Sequence, residues 1–297
     1  MISPPNLSQG DTIALIATAR KVSPEEMAPV ISRIEKEGYN VVCGKNLFGA
    51  YNQFSGSDEE RAEDLQWAIN NKEIKAIIVA RGGYGSMRIT ERVDFSPLKL
   101  QPKWICGYSD VTVLHQHVHR HVDLVTLHST MPINFAKNEE ATNTLFKALR
   151  GELRGYSFSG HSLNRIGAAE GVLVGGNLSL VYALLGTKSD LDTKEKILFL
   201  EDLDEYLYHI DRMMMSLRQS GKLENLKGMV IGGLTEMKDN AIPFGKNAEE
   251  IILDAVKDFE FPVCFDFPAG HVDRNLAFYL GRKIHLKSGS ATSEIQY

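Results

Sequence analysis

Cysteine is scarce in this sequence: Cys43, Cys106 and Cys264 are its only three, far apart and with no C-x-x-C pair. That spacing excludes a disulfide framework and a zinc knuckle, and it fits a reducing, cytoplasmic compartment. Basic charge is not in excess either, with 33 Lys and Arg against 38 Asp and Glu and a formal net charge of -5. A nucleic-acid binder carries a basic face, so nucleic acid is not an expected partner. No apolar run approaches the ~20 residues that cross a bilayer. The opening "MISPPNLSQGDTIALIATARK" has no basic stretch ahead of its short apolar run, so neither membrane nor secretory leader is expected. Internal repeats and low-complexity tracts are also lacking.

What remains is a chain of 297 residues, 43% hydrophobic and 24% charged, enough for one large α/β domain or two smaller ones. "DTIALIATA" reads as a buried strand, and "SPEEMAPVISRIEKEG" has the Ser-Pro start and Gly stop of a helix. "YNVVCG" then completes a βαβ unit. Ser57 is placed to cap the helix "DEERAEDLQWAINN", and "IKAIIVA" is a third strand. The alternation predicts a mostly parallel sheet covered on both faces. "KWICG" and a helix from about Asp110 to His121 follow, then "DLVTLHSTMP". The expected organisation is an N-terminal α/β domain over 1–140, a polar helix and crossover over 141–165 and a C-terminal α/β domain over 166–297. In the latter, "AAEGVLVGGN", "KILFLED", "LKGMVIGGL" and "PVCFDFPAGH" read as strands, the last ending in His271, and "YLYHIDRMMMSLRQ" and "AEEIILDAVKDF" as helices.

Chemistry in such sheets gathers beyond the carboxyl ends of the strands. Four features meet that condition: the loop Arg81–Ser86, Ser109, Glu201 and His271. "GYSD" is either a helix cap or a nucleophile corner, because its Ser109 stands at a strand-to-helix turn but Val111 replaces the second glycine of G-x-S-x-G. His271, in "PAGHVD", has the loop position that a general base needs, or bonds to backbone. Glu201 ends an apolar run, where a carboxylate either orients a histidine or forms an ion pair; Asp202, Asp204 and Glu205 compete for the first role. "ARGGYGS" is a nest of N–H groups for an anion, and it matches neither G-x-G-x-x-G nor G-x-x-x-x-G-K-[ST]. The run "HQHVHRHVDLVTLH" has H-x-x-x-H spacing without H-E-x-x-H, so solvated or interface histidines are expected rather than a metal site. Cys106 and Met213–Met215 read as core.

Taken in order, "LSQGDTIALIA", "ARGGYGSMR", "GYSDVTVLH", "LFLEDLDEYLYHIDRM" and "GHVDRN" resemble the LD-carboxypeptidase family of serine peptidases, which includes murein tetrapeptide carboxypeptidases and microcin C immunity proteins. The resemblance covers nearly the whole chain. It implies an N-terminal, mostly parallel sheet flanked by helices (class I glutamine amidotransferase-like), a C-terminal swivelling α/β domain, and an active site between them. It further implies a Ser109–Glu201–His271 triad, with backbone N–H groups of Gly83 and Asp110 as the oxyanion hole. Arg81 and Tyr84, in the glycine-rich loop, are the expected substrate contacts. The implied reaction is hydrolysis of the amide between an L-centre, diaminopimelate or Lys, and a terminal D-Ala of a murein tetrapeptide in cell-wall recycling. It needs no cofactor or metal, and the implied assembly is a homodimer. A microcin-type hydrolase of peptidyl or acyl-sulfamoyl adenylates and a non-catalytic muropeptide binder are the alternatives. The chain departs from the family pattern at "ATAR", Ala17–Arg20, where Ala-Pro-Ser is common, and at Val272, where Gly commonly follows the histidine. Both departures bear on specificity, since neither removes a triad member.

Overall fold

The computed structural model describes residues 1–297 and divides into two compact units. The first comprises residues 1–153 together with 273–281, the second residues 154–272 together with 282–297.

In the first unit the strands β1 (Thr12–Ile16), β2 (Asn40–Cys43), β3 (Ile74–Val79), β4 (Trp104–Gly107) and β5 (Thr126–His128) alternate with helices α1 (Pro24–Lys36), α2 (Asp58–Asn70), α3 (Ser86–Ile89) and α4 (Thr112–His121). The order across the sheet is β5-β4-β3-β1-β2, all parallel. β1, β3 and β4 are almost wholly buried apolar runs, the pattern of strands covered on both faces. Ser23 and Ser57 each close a capping box, with Glu26 and Glu60, so α1 and α2 start where their side chains satisfy the first free N–H groups. The connection reverses direction between β1 and β3, the kind of switch point beside which ligands bind. Loops after β1, β3 and β4 therefore stand side by side at the carboxyl end of the sheet.

Two stretches belong elsewhere than the sequence places them. The first part of the expected crossover, residues 141–149, belongs to helix α5 (Glu139–Leu149), which lies in the first unit and buries Leu145 and Phe146. Phe146 stacks on Tyr39, with ring centroids 6.2 Å apart. Strand β11 (Phe278–Leu280), expected in the C-terminal domain, adds antiparallel to β5 in the first unit, where the buried Tyr279 hydroxyl donates to Ala148 O at 2.7 Å. Burial of these apolar faces outweighs the polar composition of the neighbouring chain. Three histidines of α4 are buried rather than solvated: His115, His117 and His119 face the core, as does His128 of β5, while His121 at the end of the helix is exposed as expected. His115 Nε2 donates to Gly107 O at 3.0 Å, and burial pulls the His115 pKa down to about 4. Burial likewise pushes the Cys106 thiol far up.

The second unit has the sheet order β10-β9-β8-β7-β12-β13-β6. Its parallel half consists of β7 (Gly167–Asn177), β8 (Lys196–Leu203), β9 (Gly228–Thr235) and β10 (Val263–Cys264). β6 (Gly155–Ser159), β12 (Lys283–Ser288) and β13 (Thr292–Gln296) extend it antiparallel. Helices α6 (Leu178–Ala183), α7 (Leu207–Gln219) and α8 (Ala248–Ala255) accompany the parallel strands. Met213 and Met214 are buried on α7. The stretch expected as a strand ending in His271 is a strand only over Val263–Cys264, because Asp266 adopts φ 61° and turns the chain out of the ladder. No helix in the structure is long and apolar enough to cross a membrane.

Candidate active site

In the first unit, Ser109 stands one residue, Tyr108, beyond the end of β4 and is held at φ 60°. A non-glycine residue pays about 1–2 kcal/mol for that left-handed conformation, and such strain collects where a side chain must be presented in one direction. Capping is not its role in α4, whose N-cap is Val111, without a side-chain capping bond. Ser109 is half-buried, and Asp110 beside it is buried. The Asp110 carboxylate accepts from Ser86 N at 2.8 Å, which ties the corner after β4 to the glycine-rich loop after β3. Burial raises the Asp110 pKa, against the opposing bonds from Ser86 and Gly85 and the Arg61 charge.

Arg61, from α2, locks the other side of that loop. Its buried guanidinium donates to Thr18 O at 2.5 Å and to Gly85 O at 3.0 Å, and it pairs with Asp58. Thr18 and Ser86 share a hydroxyl hydrogen bond of 2.7 Å. Loops after β1, β3 and β4 thus form one polar network built from opposed charges and backbone carbonyls. Arg61→Ala is expected to cost about 3 kcal/mol by leaving the two carbonyls unpaired and the site emptied. A chemical denaturation midpoint unchanged from that of the wild type would contradict it.

Of the sequence-predicted contacts in the loop, Arg81 pairs with Glu26 at 3.9 Å on the surface. Tyr84 is 49% exposed and tilts against Phe54, with centroids 6.1 Å apart.

The second unit brings Glu201 and His271 together. Glu201 is fully buried near the end of β8 and accepts from His271 Nδ1 at 2.7 Å and from His271 N at 3.1 Å through Oε2. A carboxylate only accepts, so Nδ1 carries the proton and Nε2 is the basic nitrogen. The loop that carries His271 reaches this position by crossing the end of β9, with Gly233 N donating to Ala269 O at 2.9 Å and Thr235 Oγ1 to His271 O at 3.1 Å. Burial lowers the His271 pKa, but the charge and hydrogen bond of Glu201 outweigh it and the net shift is upward.

The acids that compete with Glu201 in sequence are engaged elsewhere. Asp202 receives Asn177 Nδ2 at 2.9 Å and Ser179 N at 2.8 Å at the start of α6. Burial, followed by the charge of Glu201, raises its pKa to about 7. Asp204 pairs with Lys238 and Glu205 with His209. Strand alternation explains the division: adjacent residues of β8 point to opposite faces.

Gly270 makes the Glu201–His271 contact possible. It has φ 102°, and a Cβ there would lie 2.6 Å from Glu201 Oε2 and 2.7 Å from its Cβ and Cγ. Gly270→Ala is therefore expected to cost about 2–3 kcal/mol through backbone strain and displacement of a buried acid. A thermal melt within error of the wild type would contradict this.

A family model described as the LD-carboxypeptidase N-terminal domain matches residues 13–129, and one described as the LD-carboxypeptidase C-terminal domain matches residues 170–286. This chain belongs to the LD-carboxypeptidase family. It is a serine-type carboxypeptidase with a two-domain α/β fold. A Bacillus subtilis (strain 168) protein named probable murein peptide carboxypeptidase is 34% identical over 303 residues, covering 99% of this chain and 94% of that protein. The crystal structure of muramoyltetrapeptide carboxypeptidase from Oxalobacter formigenes is 26% identical with a TM-score of 0.86, covering 96% of this chain and 97% of that one. The microcin C7 self immunity protein in complex with aspartyl sulfamoyl adenosine is 20% identical with a TM-score of 0.88, covering 100% of this chain and 99% of that one, a likeness of fold.

Within this carboxypeptidase, Arg61 and Gly270 were not legible as site residues from sequence. Arg61 lies among the charges of an ordinary helix start, and its burial depends on three loops that meet only in the fold. Gly270 offered a weak signal, as the residue before a loop histidine.

Proposed function

We propose that this carboxypeptidase releases terminal D-Ala from murein tetrapeptides, with Ser109 as nucleophile, His271 as general base and Glu201 as its orienting carboxylate. The observation that carries the reading is the buried Glu201 bond that fixes the His271 tautomer, in a chain whose relatives include a probable murein peptide carboxypeptidase. Ser109 Oγ attacks the carbonyl carbon of the amide between the L-centre and D-Ala while its proton passes to His271 Nε2. The N–H groups of Gly83 and Asp110 receive the oxyanion. Collapse breaks the C–N bond, and His271 returns the proton to the departing D-Ala amine. Water then hydrolyses the acyl-enzyme by the same proton path. The three free cysteines support a reducing, cytoplasmic setting, where peptides recovered from the wall are the substrate supply. A homodimer is the assembly that belongs with this reading.

The test is incubation with murein tetrapeptides bearing diaminopimelate or Lys at the third position, with D-Ala release followed by mass spectrometry. Absence of release from both would reject the reading. Hydrolysis of an aminoacyl-sulfamoyl adenylate instead would assign the microcin-type activity.

A further inference from the structure

Gly82 and Gly83 of the first unit face different side chains. A Cβ on Gly82 would lie 3.1 Å from Met131 Cε, 3.2 Å from Ser109 Cβ and 3.4 Å from Ser109 Oγ. One on Gly83 would meet Cγ, Cδ and Nε of Arg20 at 2.6, 2.7 and 2.9 Å. The stem of Arg20 therefore lies against Gly83, at a distance that only a residue without a side chain permits. Its main chain is fixed there: Arg20 N donates to Gly82 O at 3.3 Å, and the residue forms an antiparallel bridge with Phe54.

The Arg20 guanidinium is exposed and takes no part in the ion pairs of this unit. The neighbouring Arg81, by contrast, is paired with Glu26. An arginine on a surface is ordinarily solvated and mobile, but this one has its aliphatic stem packed and its backbone bonded to the loop beside Ser109. Spacing adds to the argument. One residue, about 3.8 Å of chain, separates Gly82, which faces Ser109, from Gly83, which faces Arg20. The same single residue separates the scissile carbonyl of a C-terminal substrate from its terminal carboxylate.

We propose that Arg20 binds the free terminal carboxylate of the D-amino acid to be released, and so restricts this enzyme to substrates with an unblocked C-terminus. The assignment rests on the function proposed above. It takes the place of Arg81, which stands 3.9 Å from the Glu26 carboxylate, as the cation for that group. The guanidinium presents paired donors that match the two carboxylate oxygens.

The experiment compares the full chain and its Arg20→Gln and Arg20→Lys variants on two peptides, a murein tetrapeptide ending in D-Ala carboxylate and the same peptide ending in D-Ala amide. The wild type is expected to favour the acid by about 10- to 100-fold in kcat/KM, as for a charge-assisted bidentate contact. Arg20→Gln is expected to lose most of that preference through a higher KM for the acid, with the amide nearly unaffected, and Arg20→Lys to recover part of it. All three should melt together, because glutamine and lysine keep the packed Cβ–Cδ stem and the head group that changes is at the surface. If the wild type is active but shows no preference, or if Arg20→Gln keeps the preference, the assignment to Arg20 is wrong while the carboxypeptidase reading stands. If the wild type releases neither product, the functional reading itself fails and the assignment falls with it.

Discussion

Ser109→Ala is expected to lower D-Ala release by about 10⁴- to 10⁶-fold, since removal of the nucleophile from a cooperative triad costs nearly as much as removal of the whole unit. The structural basis is the position of Ser109 at the corner just past β4, at φ 60°, with Gly82 facing its side chain. Alanine keeps the Cβ and hence the backbone strain, so folding should change little while turnover is lost. Ser109→Gly, equally without a hydroxyl, relieves the strain and should melt no lower than Ser109→Ala. Mass-spectrometric detection of D-Ala, with thermal melts on the same samples, measures both effects. Release by Ser109→Ala at a rate near that of the wild type would remove Ser109 from the mechanism.

Glu201→Gln should have the next largest effect, about 10²- to 10⁴-fold in kcat, with a change in pH dependence that a purely structural role would not produce. In the wild type the Glu201 charge and hydrogen bond overcome the burial that would lower the His271 pKa, so His271 titrates above its ordinary value. A base must be neutral to accept the serine proton, so kcat/KM should fall as pH drops through that raised pKa. The glutamine removes the charge and leaves the burial, which moves the acidic limb to lower pH. Its amide can also present N–H to Nδ1 and select the wrong tautomer, which is why the plateau falls as well. Stability follows the opposite sense. A raised histidine pKa contributes stability that is fully present below the unfolded value and is lost as pH rises through the folded value. The wild type should therefore lose its stability advantage over Glu201→Gln across that window. An acidic limb that stays at the same pH in both proteins would exclude Glu201 as the group that tunes His271.

Much of this architecture is written in local pattern. "IKAIIV" is a strand because a continuous apolar run suits a sheet covered on both faces, and α1 and α2 begin at Ser23 and Ser57 because each serine meets a glutamate three residues on. The short strands were less legible. β6, β11 and β13 have three to five residues each and derive their stability from partners far away in sequence, as Tyr279 does from Leu127 and Ala148. His115, His117 and His119 of α4 misled for a related reason: their spacing describes a helix face, whereas their burial depends on what packs over that face.

By itself the sequence determined the alternation of strands and helices, the βαβ units of the first half and the candidates proposed for acyl-transfer chemistry, because periodicity, capping and side-chain chemistry are local properties. Tertiary structure decided which of four neighbouring acids meets His271, since the alternation of β8 and the crossing of β9 by the 269–271 loop select Glu201 and leave Asp202 to the start of α6. It also decided how "GYSD" differs from a helix cap, through a φ of 60° that no residue code reports. The reason is the same in both cases: contact between residues far apart in the chain is fixed by sheet order and loop path, which only the folded backbone supplies.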